Sequence, residues 1–247
     1  MKALFRFTVV EAKLYIREPM AAFFTLAFSP MLLLLFGFIY GNDPSPFFGG
    51  KGYIDIAVPS FIAIIIVSVG LMSVPIATAS DREKGILRRF QSTPISPAIY
   101  LVSTVLVYYI MTLFGVIILF LIGKLIYNVQ FEGNLFYVFV GFTLSALSFF
   151  AFGFLIASLS PTSRVAQVAG MIFAFPMMFL SGAAIPLEIL SDKIANFSKY
   201  LPLTHVVLLM RGLWYGSSWS DHIVNVLVLV GLLVVGGLVS IKTFRWE

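Results

Sequence analysis

The sequence predicts an all-α membrane protein with six transmembrane helices and an N-terminal amphipathic interfacial helix, and three observations predict it. Of 247 residues, 60% are hydrophobic and 11% are charged, against about 25% charged in ordinary soluble domains. The mean hydropathy of +1.02 means more apolar surface than a soluble fold of this size can hide. The apolar residues arrive in blocks of roughly 20, the length that crosses a hydrocarbon core as helix, and the charges flank those blocks.

Taken in order, residues 1–19 precede any such block. On a helical wheel Lys2, Arg6, Lys13 and Arg17 fall within an arc of roughly 60°, with Phe5, Val9, Ala12 and Ile16 beside them. This stretch reads as an elbow helix at the inner interface, either a phospholipid anchor or a helix that also touches a partner. The block that follows is too long and too far along the chain for a cleaved signal, so it is expected to be a retained first span. The spans are expected at 21–40, 54–79, 98–123, 134–158, 165–186 and 222–241, separated by Gly41-Asn42-Asp43-Pro44, Gly49-Gly50-Lys51-Gly52, Ser160-Pro161 and Ser217-Ser218. Small residues four apart, Gly141/Ser145 and Gly153/Ala157, allow close helix approach within the chain or between chains.

Basic residues orient the spans. Lys2, Arg6, Lys13, Arg17, Arg82, Lys84, Arg88, Arg89, Arg164, Lys242 and Arg245 fall on one side, and Lys51, Lys124, Lys193, Lys199 and Arg211 on the other. The bias places both termini in the cytoplasm of a multi-pass plasma or inner membrane protein. Tyr53, Tyr127, Trp214, Tyr215 and Trp219 suit the outer interface.

The net charge of +5 could suggest nucleic acid, but its placement at span ends makes no nucleic-acid partner the expectation. Ionisable residues inside a bilayer mark ion paths, and the predicted span interiors carry essentially none, which disfavours a proton- or sodium-driven carrier. There is no cysteine, and His205 and His222 are too far apart for a helical metal pair, so no metal is expected. No GxxxxGK[ST] phosphate loop is present, so ATP binding of that kind must come from another chain.

The densest charge cluster is the cytoplasmic loop at 80–97, which contains Asp81-Arg82-Glu83-Lys84-Gly85-Ile86-Leu87-Arg88-Arg89-Phe90-Gln91-Ser92-Thr93-Pro94. Ile86, Leu87 and Phe90 follow helical spacing, so the loop reads as a short docking helix with one apolar face or as a solvated connector. Its residues resemble the acidic–Arg–Glu–x–Gly … Thr–Pro loop of the membrane subunit of the type-2 ABC exporter family, the permeases of drug, lipid and polysaccharide export. Phe179-Leu180-Ser181-Gly182 with Ile185-Pro186-Leu187, and Leu201-Pro202-Leu203-Thr204-His205 with Arg211-Gly212 and Gly216, resemble that family's two later motifs. The chain departs from the pattern at Ile86 and Arg88, and at His205, which is read as surface-facing and given no role.

The resemblance implies a half-transporter. A cytoplasmic ABC ATPase would bind ATP and Mg while this chain carries no cofactor and is no enzyme, and a second permease copy or paralogue would make a dimer in the membrane lipid. Residues Asp81 to Ile86, Leu87, Arg88, Phe90, Thr93 and Pro94 would couple to the ATPase. Short outer re-entrant helices at 186–221, before the last span, would gate the exit with Ser181, Gly182, Pro186, Pro202 and Arg211. The cargo class implied is a drug, peptide, lipid or other amphiphile, with a lipid-linked polysaccharide or a non-transport membrane anchor of a sensory complex as the alternatives.

Overall fold

The computed structural model describes residues 2–86 and 97–243. Among them the chain is helical, and six helices are long and apolar enough to cross a membrane. Helix α1 (Lys2–Arg17) precedes the spans α2 (Pro19–Tyr40), α3 (Tyr53–Glu83), α4 (Pro97–Tyr127), α5 (Leu135–Leu159) and α6 (Ser163–Leu180). Two short helices follow, α7 (Asp192–Ser198) and α8 (Pro202–Trp214), and α9 (Ile223–Thr243) completes the set. With the spans alternating in direction, α1, the C-terminus of α3, the α5–α6 turn and the C-terminus of α9 share one end, the base. The α2–α3 and α4–α5 connections share the other, the crown, with α7 and α8.

Local chemistry sets the boundaries. Pro19 opens α2, where its missing N–H is one that no helix would use, and Gly41 ends it at φ +67°. The Asn134 side chain caps α5 by accepting from the Phe136 N–H at 2.9 Å, and Thr162 caps α6 by accepting from Val165 N–H at 3.2 Å. The fifth span ends at Leu180 and not at 186 as expected, because the chain turns through Gly182 at φ +88°, with no space for a Cβ beside Leu187.

Helix α3 is the axis. Every residue from Tyr53 to Pro75 is buried, while the outer spans expose one face each. Its apolar residues show no preferred side, as expected for a helix surrounded by other helices. Both α2 and α3 contain one π-turn, at Phe23–Ala27 and Val69–Ser73, a local widening that disturbs the regular i→i−4 ladder. At these turns other helices meet α2 and α3 through glycine. Gly115 of α4 abuts the Thr25 carbonyl, Gly153 of α5 the Gly70 carbonyl and Gly170 of α6 the Leu71 carbonyl, each with no room for a Cβ. In lipid, helices gain little from apolar association and rely on such backbone approach. Gly153 and Gly141, which abuts Met210 and Leu213 of α8, are thus used within the chain.

Overpacking such a contact costs about 1–3 kcal/mol or more. Gly153→Val and Gly170→Val are expected to lower the thermal unfolding midpoint in detergent by several degrees, while Gly231→Ala and Gly237→Ala, whose surroundings are open, leave it in place. Equal midpoints for all four variants would refute the contact.

Candidate functional site

At the base, α1 lies against α4. Its packing face is Ala12 and Tyr15. Tyr15 is 4% exposed, its hydroxyl pairs with that of Thr25, and its ring meets Tyr108 edge-on at 5.2 Å. Val9, Leu14 and Ile16 are exposed, as are Lys13 and Arg17. Ile16, grouped with Ala12 on the wheel, is exposed, and it is Tyr15 that joins Ala12 against the bundle, where Thr25 of α2 meets its hydroxyl. Lys2 and Arg6 also belong to α1. Glu11 faces the end of α3. Burial, and then the Asp81 carboxylate, push its carboxyl from 4.5 to about 7.

The loop motif begins inside α3. Asp81, Arg82 and Glu83 form its last turn, Lys84 closes it, and Gly85 turns the chain at φ +67° ahead of Ile86. Leu87, Arg88, Phe90, Thr93 and Pro94 lie outside the described residues. The Arg82 guanidinium donates to the Ala157 carbonyl at 3.2 Å and to the Ser160 carbonyl, and Glu83 accepts from Ser163 Oγ at 2.6 Å. None of these three partners is visible from the motif's own sequence.

The crown gathers the two later motifs. Gly182 packs on Leu187, Pro186 is buried, and Ser181 is fully buried with no partner for its hydroxyl among the described residues. Glu188 pairs with Arg211 of α8 at 2.6 and 3.4 Å. Burial alone would raise the Glu188 carboxyl, but the hydrogen bond and charge of Arg211 outweigh it and hold the group below the ordinary carboxylate value. Pro202 starts α8, which at about 20 Å is too short to span a bilayer, yet it is buried from Leu203 to Val207 among α3, α5 and α9.

His205 corrects the sequence reading, because it is buried at 9% exposure. Its Nε2 lies 3.0 Å from the Lys199 carbonyl and its Nδ1 2.8 Å from Asn225 Oδ1, while Asn225 Nδ2 lies 3.1 Å from His222 Nδ1. A buried ring that would be costly alone is satisfied by a residue twenty positions away. Asp55 is the other crown residue whose importance only the fold reveals. Its carboxylate accepts from the N–H groups of Gly52 at 3.3 Å and Gln130 at 3.0 Å, and its carbonyl accepts from the Tyr215 hydroxyl at 2.9 Å. Above it, Lys51 sits 2.9 Å from the centre of the Tyr215 ring.

Between α4 and α5 run two apolar clefts of about 400 and 660 Å3, the larger bordered by Ile62, Phe120, Phe131, Phe142 and Trp214. No group of three His, Asp or Glu side chains among the described residues could hold a metal ion. Charged side chains described in the spans stand near their ends, as at Asp55, Arg82, Glu83, Lys124, Arg164 and Lys242.

A family model described as ABC-2 family transporter protein matches residues 42–242. The chain belongs to this family. Among curated proteins it is 28% identical over 169 residues to "Probable multidrug ABC transporter permease YbhR" of Escherichia coli (strain K12), covering 68% of this chain and 46% of that one. It is 26% identical over 191 residues to "Probable multidrug ABC transporter permease YbhS" of the same strain, covering 76% and 51%. It is 30% identical over 112 residues to "Nodulation protein J" of Neorhizobium galegae, covering 45% and 43%. The chain spans about half the length of these relatives. As a member of the ABC-2 family with six membrane-length helices, it is a multi-pass membrane protein.

The Glu11 shift has a sign that can be tested. A carboxyl whose folded value lies above its unfolded one adds stability that is complete below the unfolded value of 4.5 and is lost as pH rises through about 7. Hydrogen exchange in α1, corrected for intrinsic rates, is expected to be slower at about pH 6 than at about pH 8. Glu11→Gln should abolish the difference; if the difference persists in that variant, Glu11 is not its origin.

Proposed function

We propose that this chain is the membrane subunit of an ATP-driven ABC exporter that moves a hydrophobic or amphipathic cargo, such as a drug, peptide or lipid, out of the cytoplasm. A separate ATPase subunit docks at the base, which faces the cytoplasm, and a second permease copy or paralogue completes the pathway. The observation that carries this reading is family membership together with span interiors free of described charge, which suit a greasy cargo better than an ionic one. The names of YbhR and YbhS, multidrug permeases, support the same cargo class.

ATP binding in the partner draws two ATPase subunits together, and the elbow helix and the 80–97 loop carry that movement into the spans. At the opposite end the 186–221 segment closes the exit, with Glu188–Arg211 as its ionic tie. Irregular backbone at membrane depth is tolerated where it is buried in protein, which fits a gate built from α7 and α8.

The complex captured from membranes through a tag on this chain is expected to contain an ATPase and to drive ATP-dependent uptake of a hydrophobic fluorescent dye into inside-out vesicles. Gly85→Pro, which cannot adopt φ +67°, and Leu87→Asp should each cut coupled transport about tenfold, equivalent to losing about 1.4 kcal/mol of coupling. Flux of a lipid-linked glycan without dye flux would move the cargo assignment to polysaccharide. Labelling of Lys84→Cys by an impermeant thiol reagent in intact cells would invert the orientation and end the proposal.

A further inference from the structure

The turn between α5 and α6 leaves helix ends that need partners, and the last turn of α3 supplies them. In a continuing helix the Ala157 carbonyl would receive the N–H of residue 161, but that residue is Pro161 and has none. The Arg82 guanidinium donates to it instead, at 3.2 Å, and also to the Ser160 carbonyl just past the helix. These carbonyls form the negative end of the α5 dipole, where a cation is favoured. Across the turn Ser163 begins α6, whose first amides form a positive end, and its Oγ donates to Glu83 at 2.6 Å. Adjacent residues of opposite charge thus hold adjacent helix ends of opposite polarity.

Deeper in the bundle the same three helices are joined again. Gly153 of α5 and Gly170 of α6 sit against the Gly70 and Leu71 carbonyls of α3. Helix α4 meets α5 differently, through side chains and not close backbone approach: the Tyr109 and Thr143 hydroxyls pair at 2.8 Å and the Tyr109 and Phe142 rings lie 5.6 Å apart, with the two apolar clefts beside them.

We infer that Arg82 and Glu83 are positioning residues that clamp the last turn of α3 to the α5–α6 turn, so that a displacement of that turn moves α3, α5 and α6 as one body. Relative motion is then taken up where α4 meets α5, along the two clefts and across the Tyr109–Thr143 side-chain pair. This inference rests on the transport reading for its mechanical meaning, but the clamp can be measured without it. It separates Arg82 and Glu83 from the residues expected to touch the ATPase, because their side chains are engaged within the chain.

The absence of cysteine from the sequence makes the test direct. Spin labels on Lys84→Cys and Arg164→Cys, in lipid nanodiscs without any partner, are expected to give one narrow distance distribution. Arg82→Ala and Ser163→Ala should broaden it, and Ser163→Thr, which keeps the hydroxyl, should restore it. An unchanged distribution in both alanine variants overturns the clamp. In the complex captured from membranes, the same alanine variants are expected to retain the ATPase while ATP turnover and dye flux fall about five- to tenfold, with Ser163→Thr near the unmodified level. Loss of the ATPase in Arg82→Ala beside normal turnover in Ser163→Ala makes Arg82 a docking contact and overturns the inference. An unmodified chain that captures no ATPase refutes the transport reading, and the spin-label distances still decide the clamp.

Discussion

Close backbone approach around α3 is the constraint on which the rest of the arrangement depends. Lipid is as apolar as a leucine side chain, so burying leucine against leucine does little to choose one packing over another. Glycine opposite a carbonyl does choose, since it permits a contact that any larger residue forbids. Gly115, Gly153 and Gly170 make three such contacts, on three different helices, at the π-turns of α2 and α3. They place α3 at the centre, with α5 and α6 against one stretch of it and α4 held to α2.

The ends of the bundle obey a different rule. There the backbone leaves its helices and every polar group must find a partner in water, headgroups or protein. At the crown Asp55 gathers the α2–α3 loop, the α4–α5 loop and the residue following α8, and Glu188 ties the segment after α6 to α8. At the base Arg82 and Glu83 do the same for the α5–α6 turn. In the proposed complex, where a partner would push from one end, such ends need to be stiff, because a soft junction would absorb the displacement before it reached the spans.

The spans are legible in the sequence because a 20-residue apolar block is stable in few settings besides a helix that crosses lipid, and five of the six lie within a few residues of where the blocks place them. The fifth is overrun because residues 181–186 are apolar enough to continue a helix, while the left-handed turn at Gly182 is a matter of local packing on Leu187. The charged motifs can be picked out of the sequence, but not their partners. Arg82 reaches a carbonyl 75 positions away and Arg211 a carboxylate 23 positions away. His205 reads as a surface residue because its satisfying amide, Asn225, looks in isolation like any polar residue near the start of the last span.

What the sequence by itself determined is the class of environment: apolar block length, flanking charge and turn residues dictate six membrane-length helices, since the hydrophobic cost of any other placement is large and local. What only the tertiary structure decided is which polar groups answer one another, at the π-turn carbonyls, the α5–α6 turn and the crown. Those choices depend on through-space distances of a few ångströms between residues far apart in the chain. Periodicity carries no record of such distances.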